Sequence, residues 1–159
     1  MSNINKTEER SYLITLIAMI IHVCLIGLNI AIFFMKVPVT IAFDIKSGVL
    51  YYLIIFIIQT LLLFAFFVLI LKFIKNIDKK DFFNSGNYSK IYYSAIIIMI
   101  YAILNAIKGY IGVDVTYKEL LNTAPFTTVL LLNIALMMLN FLTIYNESKS
   151  IKKEHDLTV

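Results

Sequence analysis

With 159 residues, a mean hydropathy of +0.86 and 15% charged residues, the chain has too little polar surface for a water-soluble domain of this size, so its solvent is lipid. A single cysteine, Cys24, excludes an intramolecular disulfide, and no residues are spaced as metal or cofactor ligands. The net charge of +4 resides in lysines beside apolar blocks, which excludes a separate nucleic-acid-binding domain and points to anionic lipid headgroups.

The opening MSNINKTEER has mixed charge, and the apolar run after it is too long for a secretory leader, so it reads as an uncleaved first span over about 12–35. Between Arg10 and Lys36 lie 25 residues without a formal charge if His22 is neutral, and a helix needs roughly 20 to cross about 30 Å of hydrocarbon. His22 and Asn29 are seven apart and share a helix face. Cys24, Gly27 and Ala31 form a small-residue stripe on the other side, suited to close helix approach within the bundle or to a second copy. The loop KVPVTIAFDIKSG then contains a short β-prone run.

A second uncharged stretch of 25 residues between Lys46 and Lys72 gives a span over about 48–72, on which Tyr52 and Gln59 share a face. A polar hinge over 73–89 contains KKDFFNSGNYSK. Within it Asn84 is placed as an N-cap, starting a helix at about Ser85 that enters lipid near Ile91. The third span, about 90–111, has 17 uncharged residues from Ile91 to Ile107 before Lys108, whose ammonium would extend to the interface. Ser94, Tyr101, Asn105 and Lys108 fall within about 60° of one another on that helix. The following VDVTYKELLNTAP fits one amphipathic turn. The fourth span covers about 125–145, with Thr123 as cap and Pro125 in the first turn; Asn133 and Asn140 share its face. A charged tail, 146–159, follows.

Ten lysines and arginines fall in or at the edges of the N-terminal segment, hinge and tail (Lys6, Arg10, Lys72, Lys75, Lys79, Lys80, Lys90, Lys149, Lys152, Lys153), against four (Lys36, Lys46, Lys108, Lys118) in or at the edges of the two other loops. That asymmetry predicts cytoplasmic termini for an all-α, multi-pass integral membrane four-helix bundle. Seven of the ten tyrosines (Tyr12, Tyr51, Tyr52, Tyr92, Tyr93, Tyr110, Tyr145) lie near span ends, as an interfacial belt requires.

Each span thus carries one polar line, and the four lines are expected to face inward: His22, Asn29, Tyr52, Gln59, Ser94, Tyr101, Asn105, Lys108, Asn133 and Asn140. As structural glue each contact supplies about 1 kcal/mol or less. As a functional site they form a narrow vestibule whose outer half holds Asn29, Tyr52, Asn105 and Lys108, with Lys108 anchoring an anionic or carbonyl-bearing ligand. A snorkelling Lys108 is the structural alternative. His22 has no second ligand with which to hold a metal, and Cys24 reads as a packing residue. No phosphate loop, Ser-His-Asp set or zinc pattern marks an enzyme.

The close of the chain, IYNESKSIKKEHDLTV, runs a final helix into a charged stretch and ends on Glu154, Asp156, Leu157, Thr158 and Val159. In this ending, in length, in four spans and in a hinge with Phe83 followed by the capping Asn84, the chain resembles the bacterial membrane family catalogued as domain of unknown function 2975. It departs from that family's hinge by having Lys80, Asp81 and Phe82 where Gly and Pro are usual. The resemblance spans nearly the whole chain. It implies a multi-pass place in the bacterial cytoplasmic (inner) membrane, no catalytic residue, and a partnership with a small helix-turn-helix transcription regulator, since members are often encoded beside one. The expected function is a non-enzymatic sensing or regulatory membrane component that docks its partner through Lys79, Lys80, Phe83, Asn84, Glu154 and Asp156. Two alternatives stand beside it: a self-immunity protein against a membrane-active peptide or bacteriocin, with Asp44 and Glu119 exposed to it, and a small permease using the polar lines.

Overall fold

A computed structural model describes residues 2–77 and 85–156. Six helices account for the secondary structure, with no strand among the described residues: α1 (Ser2–Lys36), α2 (Val39–Ala42), α3 (Val49–Ile77), α4 (Ser85–Tyr110), α5 (Val115–Leu120) and α6 (Ala124–Asp156). Four segments are long and apolar enough to cross a membrane: Glu9–Lys36, Val49–Asn76, Gly86–Tyr110 and Val115–Phe141. Successive long helices run antiparallel. Ser11 bonds to Asn140 and Asn76 to Asn87 at one end, here termed basal. Lys108 meets Tyr52 and Leu121 at the other, apical end, which also carries α2 and α5.

The centre of the bundle is α3, with α1 and α4 its nearest neighbours. Its buried positions repeat every seven residues: Tyr52, Gln59, Phe66 and Phe73; Leu53, Thr60, Phe67 and Ile74; Phe56, Leu63 and Ile70. Three inward residues per heptad make a broad face able to touch three other helices at once. Aromatic rings span the gap to α6. Phe126 packs 5.0 Å from His22 and 5.9 Å from Phe56, and Phe141 lies 5.5 Å from Phe73, centroid to centroid. Leucines and isoleucines such as Leu13, Ile20, Leu61, Ile103 and Leu131 face outward, the inverse of a soluble bundle and the arrangement that lipid tails solvate.

The apical loops are built from short helical turns. The run at 37–43 is not extended: Pro38, at φ −56°, precedes the single turn α2, whose Ile41 and Ala42 amides bond to the Pro38 carbonyl. A lone extended segment there would leave its backbone groups unpaired, whereas a helical turn satisfies them locally. In α5, the Asp114 carboxylate accepts from the Thr116 amide at 2.8 Å, an N-cap that satisfies one orphan donor of the first turn. Where the two loops meet, Gly48 has φ +72°, and a Cβ there would lie 3.2 Å from the Gly112 carbonyl; both the conformation and the approach require glycine.

At the start of α6 the capping differs from the expectation. The Thr123 hydroxyl turns away from its own helix and donates to Asn105 Oδ1 at 3.2 Å. Asn122 takes over the local role, its Oδ1 accepting from the Ala124 amide at 2.8 Å. Pro125 does occupy the first turn.

Candidate functional site

The polar residues of the interior form successive rungs from the apical to the basal end. In the uppermost, Lys108 is 3% exposed. It does not snorkel: its Nζ donates to the Leu121 carbonyl at 2.7 Å and lies 4.3 Å from the Tyr52 ring centroid and 5.1 Å from that of Phe56. Leu121 is the C-cap of α5, so the ammonium meets a carbonyl that its own helix leaves free. Two aromatic faces supply the remaining negative potential, a contact worth about 2 kcal/mol when desolvated. Tyr52 is therefore a ring platform inside the bundle rather than part of the interfacial belt. Tyr12, Tyr51, Tyr92, Tyr93 and Tyr110 are exposed as a belt requires.

One turn further down, Gln59 donates to Asn105 Oδ1 at 3.5 Å, and the same oxygen accepts from Thr123. Asn105 lies at the rim: the residue is exposed although this oxygen is engaged. Because the Thr127 hydroxyl donates to the Thr123 carbonyl at 3.1 Å, the Tyr101 hydroxyl is the donor in its 3.0 Å contact with Thr127 Oγ1. His22, 1% exposed, reaches the Thr60 carbonyl through Nε2 at 3.2 Å. A carbonyl only accepts, so the proton is on Nε2 and Nδ1 carries a lone pair. His22 Nδ1, Gln59 Oε1 and Asn133 Oδ1 are buried with no protein hydrogen-bond donor. The interior thus retains acceptor capacity at mid-depth. Asn133 spends its amide on the Val129 carbonyl of its own helix.

Towards the basal end, Ser11 donates to Asn140 Oδ1 at 3.2 Å, tying α1 to α6. Asn76 donates to Asn87 Oδ1 at 2.8 Å, closing α3 on α4. On α4 the buried polar residues are Asn87, Ser94, Tyr101 and Lys108, spaced by seven throughout.

Of the ten residues expected on the inward lines, His22, Tyr52, Gln59, Ser94, Tyr101, Lys108, Asn133 and Asn140 are buried. Asn29 is half-buried and joins none of these bonds, and Asn105 is at the rim. Only Tyr52 with Lys108 and Gln59 with Asn105 meet one another directly. Ser11, Thr15, Thr60, Asn76, Asn87, Thr123 and Thr127 complete the network. Ser11 and Thr15 stand eleven and seven residues before His22 on the same face, a heptad signal that extends the expected line of His22 and Asn29 towards the helix start. Cys24, Gly27 and Ala31 point outward, and a Cβ on Gly27 would meet nothing within 4 Å. The stripe therefore has no packing role inside the bundle. Among the expected docking residues, Lys79, Lys80, Phe83 and Asn84 lie outside the described residues, and Glu154 and Asp156 fall in the last turn of α6. No group of His, Cys, Asp and Glu suited to a metal occurs among the described residues.

No family model matches the chain, and no curated protein or solved structure matches it either.

Proposed function

We propose that the protein is a non-enzymatic regulatory component of a bacterial cytoplasmic membrane. In this reading it conveys a condition at its apical face to a soluble regulator on the basal, cytoplasmic side. The observation behind the proposal is α6, a single uninterrupted helix of 33 residues from Ala124 to Asp156. At 1.5 Å per residue it is about 50 Å long, some 20 Å more than the hydrocarbon thickness. Its first turns are bonded into the apical rungs through Thr123 and Thr127. Its last 15 residues lie beyond the apolar segment ending at Phe141. A displacement of α5 or of the Lys108 contact would shift a rigid rod whose far end carries Glu147, Lys149, Lys152, Lys153, Glu154 and Asp156. The lysine asymmetry supports a cytoplasmic location for that end. The resemblance to the domain of unknown function 2975 family supplies the class of partner, a helix-turn-helix regulator.

The test places a photo-crosslinking amino acid at positions 148, 150 and 153 of the full chain in intact cells, with mass spectrometry of the adducts. The proposal requires a soluble DNA-binding protein crosslinked from these positions and lost on E154A/D156A substitution. Adducts to lipid or to the protein itself alone would overturn it. Adducts to a secreted peptide from positions 44 and 119 would establish the immunity reading instead.

A further inference from the structure

We propose that the outer face of the α3–α4 pair is a binding site for one anionic phospholipid of the basal leaflet. An open groove of about 520 Å³ runs between the two helices, lined by Phe64, Ala65, Val68 and Leu69 of α3 and by Tyr93, Ile96 and Ile97 of α4. Its walls are almost wholly apolar, and it opens sideways to where lipid lies, which suits an acyl chain. What selects the lipid is at its basal end. Lys72 and Lys75 stand four and seven residues after Val68, which places both on the groove face of α3. Each is exposed and makes no ion pair or side-chain hydrogen bond with the described residues.

The direction of the side chains fits as well. A helical Cα–Cβ bond tilts towards the helix N-terminus, and the N-terminus of α3 is apical, so Lys72 leans back over Val68 and Leu69 at the mouth of the groove. On α4 the tilt is basal. Lys90, seven residues before Ile97, follows it, its Nζ donating to the Gly86 carbonyl at 3.1 Å and to Asn87 Oδ1 at 3.2 Å. Lys90 is thereby committed within the protein and adds positive potential without being the phosphate ligand. From Phe64 to Lys75 the helix rises about 16 Å, close to half of a 30 Å hydrocarbon core. An acyl chain in the groove therefore brings its phosphate to the level of Lys72 and Lys75. Exposed Tyr93 lines the groove on the opposite wall and offers a hydroxyl at the headgroup level.

The experiment uses the full chain in nanodiscs of phosphatidylcholine doped with a photoreactive-acyl phosphatidylglycerol, or with phosphatidylcholine carrying the same acyl probe, and maps adducts by peptide mass spectrometry. The site predicts phosphatidylglycerol adducts concentrated on 64–69 and 93–97, with the zwitterionic probe much weaker there. K72Q/K75Q, which changes only exposed side chains, should reduce that preference about thirtyfold, at roughly fivefold per lysine. A65F, which fills the groove, should abolish the adducts while leaving the helical circular dichroism unchanged. Adducts spread evenly over the outward faces of α1 and α6, or equal for both headgroups, would overturn the site. So would a crosslinked second copy seated on 64–69.

Discussion

Lys108 is held by a carbonyl and two aromatic ring faces, and substitution can separate these two kinds of contact. The Leu121 carbonyl takes one N–H, while Tyr52 and Phe56 present ring faces. Replacing Tyr52 by Phe keeps the face and should leave stability within about 0.5 kcal/mol. Replacing it by Leu removes the face and should cost about 1 to 2 kcal/mol. Lys108→Ala both empties a packed volume and strands a buried carbonyl, so a loss of about 3 kcal/mol is expected. Reversible unfolding in mixed micelles, followed by circular dichroism, ranks the three. A flat series would show that the ammonium is solvated by water rather than by the rings. A second residue-level expectation concerns Asp114, whose carboxyl is held below the usual carboxylate range by the hydrogen bond from the Thr116 backbone N–H, with the Thr116 side chain adding to it. Because the folded value is depressed, the cap on α5 is fully in place above the ordinary carboxylate pKa of about 3.9 and is lost as pH falls through the folded value. An NMR titration of the Asp114 carboxyl carbon checks this, with a midpoint at or above 3.9 contradicting it.

At the scale of an element, α3 shows how a helix long and apolar enough to cross a membrane can be uniformly apolar and still have a defined face. Phe66 and Phe67 are fully buried whereas Leu61 and Phe64 are exposed, yet all four are equally hydrophobic. Lipid tails solvate them alike, so packing rather than hydrophobicity distinguishes the faces. Phe66→Ala should therefore cost about 3 kcal/mol, the low end of the range for aqueous cores, because it opens a cavity without a transfer to water. Leu61→Ala should cost under about 0.5 kcal/mol, and the same unfolding assay separates the two. This explains what the sequence could and could not disclose. The four apolar segments are legible from length, and the polar lines from sevenfold spacing, since a misplaced Asn, Gln or His in lipid is costly. The partners are not legible. Helical arithmetic fixes a side chain's azimuth on its own helix, and nothing in it says that Asn140 meets Ser11 or that His22 meets the Thr60 carbonyl. The Thr123 hydroxyl illustrates the limit: its local role as a cap and its distant role with Asn105 use the same group, and the distant bond wins. Asn105 falls at the rim for a related reason. It leans to the opposite side of Tyr101 from Lys108, so the seven-residue repeat that keeps Asn87, Ser94, Tyr101 and Lys108 inside carries it outward.

For the whole molecule, the orientation proposed above rests on how charge is arranged relative to the bundle. The basal end carries Arg10, Lys72, Lys75 and Lys90 among the described residues, and the charged turns of α6 extend beyond it. The apical end carries Lys36, Lys46 and Lys118, while Lys108 is withdrawn into the core and contributes nothing to the surface. Burial of Lys108 thus sharpens the charge asymmetry on which the proposed cytoplasmic placement of the basal end rests. Accessibility to a membrane-impermeant maleimide reports this directly. Cys24 is outward-facing and is first replaced by Ser, which leaves single cysteines introduced at exposed apical positions (K46C, E119C) and exposed basal positions (K72C, K75C). In intact spheroplasts the apical pair should label and the basal pair should label only after permeabilisation. The reverse pattern would invert the orientation, place α6 and its charged turns outside the cell, and remove the physical basis for a soluble cytoplasmic partner. Equal labelling of both pairs before permeabilisation would mean mixed insertion. In that case the lysine bias is too weak to orient the bundle, and a K79A/K80A variant should then be no more mixed than the parent.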